Sequence, residues 1–421
     1  MATASALALT ACGGGGDTGD GGASSGGDVT LTFAWWGDVS RAERYEQSVD
    51  LFEEANPGVT VQTSFAGWGD YWQARNTEAA GGALPDVMQM DIAYLSVYGG
   101  NDRLAALDDA IGATIDTSTI AEAVLPAGQL EGTTYAITSS TNTLATFVNT
   151  DLLAELGVAA PEAGLTWAGY NDFLREVAAA GADSSPQVYG SVDYTQIFWL
   201  FNIWLGQQGL SMFDQDGALG FTADDLTEWW SLTADLRAEN VVMPPDVAAQ
   251  LSGADAIGSQ QAVSEISWDN FLVRFSEGSG GATLAMLPPP ADDPASSGLF
   301  LKPSLMLAAS ANSAHPEEAA ALIDFLVNDA QVSEIFGTSR GVPASSSALD
   351  AVVAEGLDAQ ILDYEDSIAD SLTDTPPPPV DGFGSLEESF VRIHEELAYG
   401  TVTTAEAADQ WFAEAEDTLR G

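Results

Sequence analysis

From Val29 to Met90 the apolar residues change their spacing segment by segment, and this limits the folds open to the chain. "VTLTFAWW" places apolar residues at Val29, Leu31, Phe33 and Trp35, the period of a strand. "AERYEQSVDLFEEANPG" then sets Tyr45, Val49 and Phe52 on one helical face and stops at Asn56-Pro57-Gly58. "VTVQTSF" alternates again, "YWQARNTEAAGG" reads as a helix closed by Gly81-Gly82, and "DVMQMD" is a short apolar strand after Pro85. Strands separated by helices predict a parallel sheet in this part of the molecule. A chain of 421 residues, 46% of them apolar, is long enough for two cores rather than one.

Past "TTYAITSSTNT" the character shifts. "LATFVNTDLLAELG" starts a new strand and helix, and "TWAGYNDFLREVAAAG" carries Trp167, Tyr170, Phe173, Leu174 and Val177 at helical spacing. "TQIFWLFNIWLGQQG" is apolar nearly all round, and "DDLTEWWSLTADLRAEN" shows Leu226, Trp229, Trp230, Thr233 and Leu236 on one face. These predict a larger, helix-rich lobe. Later, "FLKPSLMLAAS" is strand-like, "PEEAAALIDFLVNDAQVSEIFG" is a helix with proline and acids in its first turn, and the tail ends in helices around 385 to 399 and 404 to 419.

Charge excludes whole classes of partner. Eleven Lys plus Arg stand against sixty-three Asp plus Glu, a net charge of -52, and the single lysine, Lys302, makes no basic patch. Nucleic acid and anionic membrane surfaces are repelled by such a field. His315 and His394 read as surface or capping residues, so histidine-ligated zinc and Ser-His-Asp catalysis lack raw material, and no cofactor is expected. The lone cysteine rules out an internal disulfide.

That cysteine lies at the edge. Residues 1 to 12 end in Leu-Thr-Ala-Cys after small apolar residues, the pattern of a bacterial lipoprotein signal in which Cys12 carries acyl chains. No Lys or Arg precedes the short apolar segment, which departs from that pattern. Residues 13 to 27, nine of them glycine, read as a flexible tether. No later run of eighteen or more apolar residues predicts a membrane span.

Several segments, in order, resemble the extracellular solute-binding proteins of ABC sugar importers, the maltose- and oligosaccharide-binding type. They are "LTAC", "LTFAWWGD", "VDLFEEANPGVTVQ", "LPDVMQMDIAYLSVYGGNDRLAALDD", "TYAITSSTNTLATFVNTDLLAELG" with "TWAGYNDFL", "SEISWDNF", "HPEEAAALIDFLVND" and "SRGVPAS". The resemblance implies an α/β, two-lobed periplasmic-binding-protein-like fold of type II, its lobes joined by hinge strands. Residues 28–138 with 304–342 would form one lobe and 139–303 with 343–421 the other. It also implies a ligand held between the lobes, closure around it, and a monomer that presents the load to membrane permease subunits, touching the membrane only through a lipid anchor.

A sugar offers hydroxyls on its rim and C–H groups on its faces, so its site needs planar hydrogen-bonding groups and flat rings. Micromolar binding asks for about 8.2 kcal/mol net, whereas one hydrogen bond contributes about 0.5–1.5 kcal/mol and one ring over ~100 Å² about 2.5 kcal/mol. Several of each are required. Candidates lie where strands end. "WWGD" assigns Trp35 to the core and Trp36 to the cleft, with Gly37 allowing close approach and Asp38 beside it. Trp68 and Tyr71, on a loop after the second strand, read either as cleft residues or as packing for the next helix. Asp91 is a helix N-cap by its surroundings and a ligand-contacting acid by the resemblance. Thr141 and Asn142 lie just past the first crossover. Trp199 and Asn202 sit in the apolar "IFWLFNIW", Trp268 and Asp269 follow "AVSEIS" where the family often supplies a stacking tryptophan, Arg340 offers a forked donor, and Phe383 suggests a lid.

Two other functions fit the same residues. A secreted glycosidase would cleave the sugar with a carboxylate pair. The same fold with another ligand would take a peptide, a polyamine or a metal chelate.

Overall fold

The computed structural model describes residues 28–420, except 123, 215–216, 252–253, 294, 374 and 377–378. Cys12 and the glycine-rich tether lie outside the described residues.

Twelve strands are present among the described residues: β1 (Val29–Trp36), β2 (Val59–Ala66), β3 (Val87–Met90), β4 (Gln129–Leu130), β5 (Thr133–Thr134), β6 (Ala136–Asn142), β7 (Leu144–Asn149), β8 (Tyr189–Ser191), β9 (Ala262–Trp268), β10 (Leu284–Leu287), β11 (Lys302–Ala309) and β12 (Val342–Pro343). Six form one sheet in the order β12-β6-β11-β3-β1-β2, four form a second in the order β10-β7-β9-β8, and β4 and β5 make a small hairpin. This is a two-lobed α/β fold with one sheet per lobe.

In the first sheet β1 runs parallel to both β2 and β3, as its period predicts. The prediction of a parallel sheet is corrected beyond that point. β11 is antiparallel to β3 and to β6, and β12 is antiparallel to β6, so the sheet is mixed. The cause is long-range: β11 and β12 enter this sheet from the far side of the second lobe, a pairing that local spacing does not encode.

β1 shows how alternation sorts side chains. Leu31, Phe33 and Trp35 enter one core with Tyr45 and Phe52 of the helix Val39–Ala55, whereas Ala34 and Trp36 face the other. Both faces of this central strand are covered, as in α/β sheets generally. Helices start on local caps: Asp38 accepts the Arg41 N–H at 2.9 Å, Asn149 the Leu152 N–H at 2.9 Å, and Thr222 and Thr403 form capping boxes. The helix Trp68–Gly81 ends on Gly82, whose φ of 66° suits glycine.

The chain passes from one sheet to the other at Thr143, between β6 and β7. It returns between β10 and β11. Residues 139–142, read from sequence with the second lobe, pair in β6 with β11 and β12 of the first sheet. At the far end, Tyr364 of the helix Gly356–Ile368 donates to the Leu144 carbonyl at 2.6 Å, so that helix packs on the second sheet.

His394 corrects the surface reading. It is buried on the helix Phe383–Ala398, with Nε2 3.1 Å from Thr195 Oγ1 and 3.3 Å from Asp193 Oδ2. Arg237 reaches the same Asp193 oxygen at 2.7 Å. Burial works against ionisation, yet His394, Arg237 and the Thr195 hydroxyl together hold the Asp193 carboxyl far below its ordinary range. His315 occupies the N-cap position of the helix Pro316–Asn328, although its side chain makes no capping bond.

Candidate functional site

A cavity of about 970 Å³ opens between the two sheets, at the upper end of the size common for small-molecule sites. Its first wall comes from the ends of the parallel strands. Trp36 closes β1, and Trp68 opens the following helix rather than sitting on a loop. The rings hold one another. Trp36 stands edge-on to Trp68 at 5.0 Å and to Tyr71 at 5.5 Å, while Trp72 stacks on Tyr94 at 3.7 Å. Such pairs add about 0.5–1.5 kcal/mol beyond burial.

The second wall carries Trp199, from the helix Phe198–Gln207, and Trp268, at the end of β9. Lys302, the first residue of β11, places its ammonium 5.2 Å from the Trp199 ring and 4.7 Å from the Trp268 ring. Its Nζ also lies 3.5 Å from Asp91 Oδ2. Asp91 caps a helix, its Oδ1 accepting the Ala93 N–H at 2.8 Å, while Oδ2 faces the cavity lysine.

Polar groups converge from both lobes. Asn142 donates to Asn270 Oδ1 at 3.1 Å, and the buried Asn142 Oδ1 has no partner among the described residues. Arg274 grips Asp255 through two bonds of 2.6 and 2.8 Å. Arg44, on the first wall, reaches Glu277 on the second at 3.5 Å. Glu387 is pushed up to about 8 by burial and by Asp91, with Lys302 pulling the other way.

Of the residues singled out in the sequence, Trp36, Gly37, Asp38, Trp68, Asp91, Asn142, Trp199 and Trp268 line the cavity. Gly37 meets a neighbour rather than open space. A Cβ there would come within 2.6 Å of Arg41 Cδ, so the bare backbone accommodates the arginine stem.

The others, Arg340 excepted, lie away from the cavity. Tyr71 lies inside its helix and donates to the Gln89 carbonyl at 2.6 Å, which serves packing rather than ligand. Thr141 is buried in β6 opposite Pro303 and Val342. Asn202, three residues past Trp199 on the same helix, does not line the cavity. Asp269 is sealed at the crossover, where its Oδ2 accepts the Thr143 N–H at 3.0 Å and its Oδ1 the Asn270 N–H at 2.6 Å. Burial raises its pKa and that of the neighbouring Glu365. Arg340 reaches the wall, yet its guanidinium turns into the first core, donating to the Leu326 carbonyl at 2.7 Å over the Phe336 ring. Phe383 is no lid: it is buried against Phe198 at 5.2 Å and Trp199 at 5.1 Å, at the root of a packed helix.

Sequence reading missed Arg41, Arg44, Arg274, Lys302 and Glu387, all of which line the cavity. A signal was present for the first two. Arg41 and Arg44 are one turn apart just after a strand end, in a chain with only eleven basic residues. Among the described residues no group of three or more His, Cys, Asp or Glu is placed to hold a metal ion, and no helix is long and apolar enough to cross a membrane.

Comparison with known proteins places this geometry. The sequence pattern of the bacterial extracellular solute-binding proteins matches residues 47–360. Among solved structures, an extracellular solute-binding protein of family 1 from Alicyclobacillus acidocaldarius is 28% identical, with a TM-score of 0.65 over 94% of this chain and 100% of that one. A periplasmic oligogalacturonide-binding protein from Yersinia enterocolitica, in complex with saturated digalacturonic acid, is 21% identical with a TM-score of 0.81 over 93% and 99%. An ABC substrate-binding protein from Listeria monocytogenes, in complex with cycloalternan, is 19% identical with a TM-score of 0.79 over the same shares.

Proposed function

Because the chain belongs to the bacterial extracellular solute-binding protein family, we propose that it captures a sugar or oligosaccharide in the cleft between its lobes and hands it, unaltered, to the permease subunits of an ABC importer. The observation that carries this reading is the pairing of tryptophans across one cavity. Trp36 and Trp68 stand on one wall, Trp199 and Trp268 on the other, with Asn142, Asn270 and charged groups between. Rings on two sides cover the apolar faces of a pyranose, and the polar groups meet its rim. The saccharides bound by the structural relatives support the same ligand class.

The two lobes, one built on the first sheet from about residues 28–142 and 302–343 and the other on the second sheet from about 144–301 and the C-terminal helices, would close on the ligand as units. Acylation of Cys12 would tether the monomer to the outer face of the membrane.

A thermal-shift and calorimetry panel tests the reading. Saccharides should raise the melting temperature, while peptides and polyamines should not, and overnight incubation should release no reducing sugar. Stabilisation by polyamines alone would replace the sugar with a cationic solute. Released reducing ends would make the protein a glycosidase.

A further inference from the structure

The cleft is formally balanced in a chain of net charge -52. Five of the eleven basic residues line the cavity, against five of the sixty-three acids. A neutral ligand gives no reason for that concentration, whereas an anion approaching a molecule of net charge -52 needs one.

The cations are not equivalent. Arg274 is matched by Asp255, Arg44 by Glu277 and Lys302 by Asp91, while Arg340 is turned into the core. Arg41 differs. Among the described residues no carboxylate lies within ion-pair distance of its guanidinium, whose one hydrogen bond there is donated to the Trp36 carbonyl at 3.3 Å. The nearby Asp38 carboxylate is occupied with the helix N-terminus, accepting the Arg41 backbone N–H. Burial disfavours the Arg41 charge, Arg340 and Arg274 add to that, and Tyr45 and Asp38 counter it only in part. Arg41 also stands in the first turn of the helix Val39–Ala55, where the macrodipole opposes a cation and favours an anion. A half-buried guanidinium without a counter-ion in such surroundings is costly until an anion meets it. Gly37 keeps the space into which its stem folds.

Resting on the saccharide reading above, we propose that the ligand is an acidic sugar, a saccharide bearing a carboxylate that the Arg41 guanidinium receives while the tryptophans hold the ring faces. The forked donors of arginine match a carboxylate better than a single hydroxyl.

Calorimetric titration of the full chain with di- and tri-uronic acids, each beside its methyl ester, tests this. The acids should bind about tenfold or more tighter than the esters, as a charge-assisted hydrogen bond implies. The preference should shrink between about 50 mM and about 500 mM salt. In Arg41→Gln acid and ester should bind within about twofold of each other, and Arg41→Lys, which keeps the charge, should restore part of the preference. Esters or neutral sugars binding as tightly as the acids in the unaltered protein would overturn the acidic ligand and leave the saccharide reading standing. Failure of every saccharide, acidic or neutral, would remove both.

Discussion

On the first-sheet side of the cleft, Trp36, Trp68, Tyr71, Trp72 and Tyr94 brace one another ring against ring, and Arg41, which donates to the Trp36 carbonyl, has no carboxylate within ion-pair distance among the described residues. Across the gap, Trp199 and Trp268 flank a single ammonium, Arg274 is neutralised by Asp255, and the carboxyls pushed upward by burial, including Glu265 and Glu387 at about 8, all belong to elements of this side. Ring packing dominates the first wall. The second carries carboxyls whose charge changes with pH. The contrast separates a preformed shape from an adjustable partner, and substitutions on each wall should therefore have different consequences.

The largest expected effect is on the first wall. Trp72→Ala removes a fully buried ring stacked on Tyr94 and should cost about 3–5 kcal/mol of stability, read by denaturant unfolding. A loss within ~1 kcal/mol would mean that the rings do not brace the wall. On the second wall, Trp268→Ala should weaken saccharide affinity about tenfold, or ~1.4 kcal/mol, with little loss of stability, because its ring is only partly buried. Calorimetry and thermal melting together read both halves of that claim. A collapse in stability at unchanged affinity would move Trp268 from the site to the core.

The smallest effect is a pH slope confined to the second wall. Glu265 is raised to about 8 by burial and by Asp255, whereas an unfolded glutamate titrates near ~4.3. Between those values the folded protein holds more protons than the unfolded one, so stability falls as pH rises. Asp193 acts in the opposite sense, its depressed pKa adding stability that is lost only as pH drops below the ordinary aspartate range. The melting temperature should therefore be higher at pH 5.5 than at pH 8, and Glu265→Gln should flatten the slope. A slope unchanged in that variant would assign the effect to other groups, among them Glu387 and the Asp269–Glu365 pair.

Legibility followed the same division. The strand alternation of "VTLTFAWW" ends on Trp36, and the break at Gly37-Asp38 announces a loop where a ligand can approach, so the first wall was readable from neighbours in sequence. β11 and β12 join this sheet from more than 150 residues beyond β6, and nothing local marks their antiparallel course. Trp268 was readable as the end of β9, but Asp269 beside it was not. Its carboxylate turns to the Thr143 amide at the crossover, a contact across 126 residues. Arg340 and Phe383 failed for one reason. A long polar or apolar side chain in a loop looks the same in sequence whether it faces a cavity or a core, and here the Leu326 carbonyl and the Phe198 ring decide the matter. Arg41, Arg44, Arg274 and Lys302 went unread as site residues because a net charge of -52 directs attention to acids, while the rarity of Lys and Arg makes their placement the more informative.

Hydrogen–deuterium exchange with and without a saturating saccharide tests the two-walled cleft most directly. The account predicts added protection on both walls together, over residues 36–45 and 68–72 of one and 268–278 of the other, with the outer helices unchanged. Protection of one wall alone, or of a surface away from both, would contradict it.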